Sequence, residues 1–233
     1  MKILMMLVFL AIANPADPVA EWDHLEKSVR DQTIRKEEAQ KRFPPLYKML
    51  KELCGTHPFT GHSSWQFPVQ GYGVKDIGAG GFQPGKPSGS SSIKGYVFYD
   101  GNRHGGHPAY DIFIHDKNQD SLDDRTHNPV KVIAPVDLLI LSVERKWESN
   151  SGLRGGRYIW ALDPLHDRIF YFAHLNEILT NAGAFCPAGS AIGTVGRTGK
   201  NASPRRSPTH LHFMVLEIKE TSLLPLDYRS LLK

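Results

Sequence analysis

The chain has 233 residues, of which 40% are apolar, 10% aromatic and 22% charged. That is enough for one sizeable core, or one domain with an appendage. Its formal net charge of +4 suits an anionic cell envelope but is too weak and too dispersed to point to nucleic acid as a partner.

The first residues, MKILMMLVFLAIANPADPVA, carry one lysine, an apolar run from Ile3 to Ala13 and then small and turn-forming residues. The pattern predicts a secretory signal peptide over residues 1–20, cut after Ala13, Ala16 or Ala20, and a periplasmic or extracellular protein. An uncleaved anchor is the alternative, although the run is short for a bilayer span and no later segment nears the ~20 apolar residues a transmembrane helix needs. Removing residues 1–20 takes away Lys2 and Asp17 and leaves the net charge unchanged. Export places Cys54 and Cys186 in an oxidising compartment, where they either form one disulfide or stay two thiols that never meet.

From Glu21 to Cys54, Trp22, Leu25 and Val29 recur at helical spacing, as do Leu46, Leu50 and Leu53. Two helices broken at Pro44 and Pro45 are expected, within a helical region spanning residues 21–64. The segment Gly78 to Ser92 is a loop too rich in glycine and serine to build a core. Short apolar runs separated by turn residues then follow: KGYVFYDG, YDIFIHD, PVKVIAP, DLLILSVERKW, RYIWALD, RIFYFAHL, SAIGTVG and HLHFMVLEI. They predict a mostly β, antiparallel domain over residues 65–220, with a hairpin turning at Pro164 to Asp167 and a C-terminal tail at 221–233.

Within LHFMVLEI, strand alternation puts His210 and His212 on one face and Leu211 and Phe213 on the other. Alone, an H-x-H pair fits a solvated strand face as well as a paired imidazole site. His107 and Asp111, four apart, share a face in a strand or a helical turn and offer nitrogen and oxygen donors suited to zinc. His174 ends an apolar strand, a common place for a structural histidine.

Taken together, HPAYD, YFAHL, GTVGRTG and THLHF resemble, in that order, the motifs of lysostaphin-like or LytM-type zinc metallopeptidases, which cleave peptide bonds in bacterial peptidoglycan. The similarity runs from Phe67 to about Ile218 and includes PVKVIAP and AGAFCPAGSAIGTVG. The resemblance implies an antiparallel peptidase domain with one Zn²⁺ held by His107, Asp111 and His212. It also implies two accessory catalytic histidines, His174 and His210, and leaves open which is the general base. Three protein ligands would leave a fourth position for water or substrate. Peptidoglycan stem peptides or cross-bridges are the implied partners, with no nucleic acid, no lasting membrane insertion and no visible dimer signal.

Ala109 stands where the family commonly has glycine, and Thr209 and the longer, basic loop KNASPRRSP also depart from its pattern. These positions bear on substrate choice more than on metal binding. Neither cysteine lies in a motif and no G-x-S-x-G elbow occurs, which disfavours thiol or hydroxyl nucleophiles. Two rival readings are a non-catalytic LytM-type module that activates another wall hydrolase and a zinc peptidase acting on proteins. Occupied ligand positions weigh against the first. A calcium loop is a further candidate, at Asp116, Asn118 and Asp120 with Asp123 and Asp124 following. Ser121 and His127 replace the usual glycine and glutamate, and a solvated acidic turn is the competing reading. His104, His115 and His166 are assigned structural or surface roles.

Overall fold

The computed structural model describes residues 17–61, 65–85, 95–103 and 105–232. The expected signal segment up to residue 16, His104 and residues 86–92 of the glycine-serine loop lie outside the described residues. No helix among the described residues is long and apolar enough to cross a membrane.

Two helices open the chain, α1 (Pro18–Arg30) and α2 (Lys36–Cys54). Asp17 caps α1 by accepting a 2.9 Å hydrogen bond from the Val19 N–H, and Pro18 stands at the first helical position, where no N–H partner is needed. The break between the helices falls at residues 31–35, where Gln32 adopts φ 61°, and not at the prolines. Pro44 and Pro45 sit inside α2. Their lost N–H groups are outweighed by the anchorage of Phe43, Leu46 and Leu50, all buried on one face of the helix.

Nine strands form one antiparallel sheet, ordered β1 (Ala109–Phe113), β8 (His210–Lys219), β5 (Arg168–Ile178), β4 (Arg157–Asp163), β3 (Leu138–Glu144), β6 (Phe185–Cys186). Beyond its pairing with β8, β5 continues against β7 (Ala191–Val195), which carries β2 (Lys131–Ile133). Strands β4 and β5 make the expected hairpin. Residues 221–233, expected as a tail, contribute β9 (Ser222–Pro225) on β8 and the fully buried Tyr228, whose hydroxyl donates to the Phe213 carbonyl. The described part of KGYVFYDG, residues 95–101, is not a strand. Phe98–Arg103 is a kinked 3₁₀ segment, and Phe98 stacks on Trp22 at 5.9 Å. Gly101 there has φ 50°, and a Cβ would lie 2.2 Å from the Val29 carbonyl oxygen of α1, so only glycine fits.

The central strands are buried on both faces. Leu138, Ile140, Phe170, Phe172, Leu211 and Phe213 enter one core, together with Trp65 and Tyr228. Leu139, Leu141, Trp160, Leu162, Met214 and Leu216 enter the other, which α1 and α2 roof with Trp22, Leu25, Val29, Phe43 and Leu50. The unbroken apolar run DLLILSV reflects this two-sided burial. Cys54 and Cys186 are both buried free thiols, and burial pushes the Cys54 thiol up to about 11.

Glu26 of α1 is buried against the sheet, accepting from the Tyr158 hydroxyl, which accepts from Arg30, itself paired with Glu144 at 2.9 Å. Burial, only partly offset by Arg30, raises the Glu26 carboxyl from about 4.5 to about 7. The folded chain therefore binds this proton more tightly than the unfolded one. The contribution to stability is full below about pH 4.5 and is lost as pH rises toward 7, on the order of 3 kcal/mol in all. Glu26→Gln is expected to flatten the fall in Tm between about pH 5 and about pH 8; an unchanged slope would assign that fall to other groups. Deleting residues 17–61 bares the second core, where each large side chain contributes roughly 2 kcal/mol. Loss of cooperative melting, or a drop in Tm beyond about 10 °C, is expected by calorimetry, and an unmoved Tm would make the helices a dispensable appendage.

Candidate active site

The site lies on the helix-roofed face of the sheet, near the edge made by β1. Asp111 stands directly opposite His212 in the β1–β8 ladder, and Phe113 opposite His210. Strand alternation then turns Asp111, His210 and His212 to one face while Leu211 is fully buried in the opposite core. His107 precedes β1 and is held by a two-way backbone bridge to Gln83. His174 arrives from β5 at an irregularity: Phe172 pairs with Ile159, but Leu175 pairs with Arg157, so β5 bulges between them. His174 takes φ 64°, a left-handed conformation rare for a residue with a side chain. The bulge marks where β5 leaves β8 for β7 and turns the ring toward His210, 4.9 Å away between centroids.

Three of the four rings are oriented by a carbonyl. His107 Nδ1 lies 3.1 Å from Gly81 O, His174 Nδ1 2.8 Å from Thr198 O and His210 Nδ1 2.8 Å from Pro208 O. A carbonyl only accepts, so these nitrogens carry the hydrogens and each Nε2 keeps its lone pair for the site. His107 Nε2 is 3.2 Å, and His212 Nδ1 3.0 Å, from Asp111 Oδ1. Ligand atoms of these three residues lie within 4.8 Å of one another, the one such group among the described residues. His210 Nε2 is 3.8 Å from the same carboxylate oxygen.

Burial would raise the Asp111 carboxyl, but its contacts with the His107 and His212 rings prevail and hold it far below the usual carboxylate range. Burial would lower His107, and the Asp111 contact overrides it to raise the ring. Burial lowers His174 well below the usual imidazole range, reinforced by His210 and His212. His210 is also lowered by burial, with Asp111 opposing. Two nitrogens and one carboxylate oxygen, with the other ring nitrogen of His107 tied to the Gly81 carbonyl, suit Zn²⁺ with an open position.

The structure thus brings together all five residues singled out in the sequence. The acidic loop is a different matter. Asp116 accepts from the N–H groups of Asp120 and Ser121 and from the Thr209 hydroxyl, and Asp120 accepts from the Leu122 N–H and the Asn118 amide. Their carboxylates serve as acceptors for the turn's own donors, and calcium at Asp116, Asn118 and Asp120 finds no support. Ser121 takes φ 69° where a calcium loop would use glycine. Thr209, one residue before His210, ties this loop to the site instead.

Sequence reasoning missed the carbonyls of Gly81, Thr198 and Pro208. A trace of one was present in GTVGRTG: Gly199 has φ 99° and packs on Gly156, φ 66°, where a Cβ would lie 2.3 Å from the Thr198 carbonyl carbon. It also missed Glu26, Tyr158 and Tyr171, which line the same cavity as the histidines.

The sequence matches no family model and no curated protein. Solved structures similar to the chain include the catalytic domain of the antimicrobial peptidase lysostaphin from Staphylococcus simulans, at 19% identity over 65% of this chain and 90% of that one, TM-score 0.41. LytU is similar at 18% identity over 70% and 88%, TM-score 0.38. A zinc-containing peptidase from Vibrio cholerae is similar at 18% identity over 69% of this chain and 38% of that one, TM-score 0.41. At such identities and scores, what this chain does has to be argued from its own residues.

Asp111→Asn removes the carboxylate that both His107 and His212 face. It is expected to weaken Zn²⁺ binding at least about 100-fold in competition with a chelating dye, and near-native affinity would remove Asp111 from the ligand set.

Proposed function

We propose that the protein is an exported LytM-type zinc endopeptidase that hydrolyses peptide bonds of bacterial peptidoglycan. The observation that carries this is the convergence of His107 Nε2, Asp111 Oδ1 and His212 Nδ1 within 4.8 Å, with His174 and His210 beside them. The motif resemblance supports the choice of substrate. Export would follow from the signal-like segment, and a cut after Ala13 or Ala16 would leave the Asp17 cap of α1 in place.

His107, Asp111 and His212 would hold the zinc ion. When bound, it would supply Lewis acidity to a water and to the scissile carbonyl. His210 is the better proton acceptor of the accessory pair, because its Nε2 faces the ligand cluster and Asp111 supports its basicity. His174, held neutral with its Nε2 lone pair toward the same space, orients the attacking water. The proton taken by His210 then passes to the leaving amine.

Purified protein incubated with peptidoglycan is expected to release fragments with new amino and carboxyl termini, identified by mass, and chelator should stop the release. His212→Ala should lose both zinc and turnover. His210→Ala should keep zinc and lose about 100-fold or more in turnover. Equal metal loss in both variants would overturn the division of roles. Stoichiometric zinc with no fragment release would favour a non-catalytic wall-binding module.

A further inference from the structure

The cavity that contains the five site residues does not end at them. It has a volume of about 270 Å³ and continues beneath α1, where Glu26, Tyr158, Trp160 and Tyr171 line it. The Tyr171 ring is 6.2 Å from His212 and 5.3 Å from Tyr158, and Trp160 lies 4.4 Å from Tyr171. Two rings therefore separate the metal-type cluster from the Glu26 carboxyl.

Glu26 is under-partnered for a group only 4% exposed. Both its oxygens share one donor, the Tyr158 hydroxyl, at 2.9 and 3.2 Å. The buried Trp160 indole N–H lies toward the same carboxyl and lowers its pKa, but completes no hydrogen bond of normal geometry among the described residues. Arg30 offsets the burial of Glu26 only in part, its guanidinium also bonding Glu144 at 2.9 Å and Asp31 at 2.7 Å. A buried carboxyl kept with so few donors is costly unless a ligand completes it. Aromatic faces around a carboxylate are the chemistry that holds an ammonium group, by charge and by cation–π attraction.

We propose that the cavity beneath α1 is a substrate subsite in which Glu26 and the rings of Tyr158, Trp160 and Tyr171 bind a primary ammonium group on the peptide to be cleaved. The subsite rests on the peptidase reading for its substrate but not for its ligand chemistry. It makes α1 part of the substrate groove, and selects peptides carrying an amine at the end of a flexible side chain.

The test uses the full chain and two readouts. First, n-butylammonium is titrated against tryptophan fluorescence: saturable binding is expected, with n-butanol inert, and Glu26→Gln should weaken it at least about tenfold. Secondly, kcat/KM is compared for peptides differing only in lysine against norleucine; the lysine peptide should lead by about tenfold, and Glu26→Gln should bring the ratio within about twofold. If Glu26→Gln fails to fold, Glu26→Asp replaces it and should weaken butylammonium binding about fivefold. Absence of saturable binding, or binding indifferent to Glu26, overturns the subsite even when peptides are cleaved. Glu26-dependent binding without cleavage of any peptide or wall substrate upholds the amine site and removes the peptidase reading.

Discussion

Asp111 faces His212 across one rung of the β1–β8 ladder, and the rest of the site depends on that register. A slip of one residue would turn Asp111 into the core and bring Ile112 to the site face. The register is held because the opposite faces of both strands are buried: Ile112, Leu211 and Phe213 fill the core beneath. Hydrophobic burial on one side thus aligns the polar donors on the other. The cluster is partly exposed at His107 and closed toward His210 and His174.

The support of the site is mostly backbone. Three histidine rings are oriented by the carbonyls of Gly81, Thr198 and Pro208, the last two near opposite ends of the β7–β8 connection. That connection is tied in turn. Thr198 uses its hydroxyl to bridge the Arg157 N–H and the Leu175 carbonyl. Arg197 holds the carbonyls of Pro204 and Ser207 and the Thr209 hydroxyl, which also donates to Asp116. The acidic turn that resembles a calcium loop in sequence is therefore a brace for the segment leading into His210.

The two helices complete the second face of the sheet. Trp22 is fully buried between Phe43, Phe98 and Trp160, so the helices share a core with the strands that carry the histidines. This joins α1 to the cavity wall and explains why a helix more than 70 residues upstream of the first motif in sequence bears on the same groove.

Much of the strand content and the five converging residues were legible in the sequence, because two-residue alternation and motif order are local signals. His210 and His212 share a face for no reason beyond the pitch of a strand. Other features were not legible. The prolines of α2 read as a break, and burial of Phe43, Leu46 and Leu50 overrode them. KGYVFYDG reads as a strand, but residues 95–101 have no partner strand among the described residues and pack instead on α1. The C-terminal segment looks like a tail, yet Tyr228 is buried between distant elements. The bulge that aims His174, the carbonyls that fix the His107 and His174 tautomers and the meeting of Glu26 with Tyr158 all depend on contacts between residues far apart in the chain. The sequence by itself determined which donor types exist and which face of a strand each one takes. Only the tertiary structure decided which of them meet, because register, bulge and helix docking are set by packing across the whole sheet.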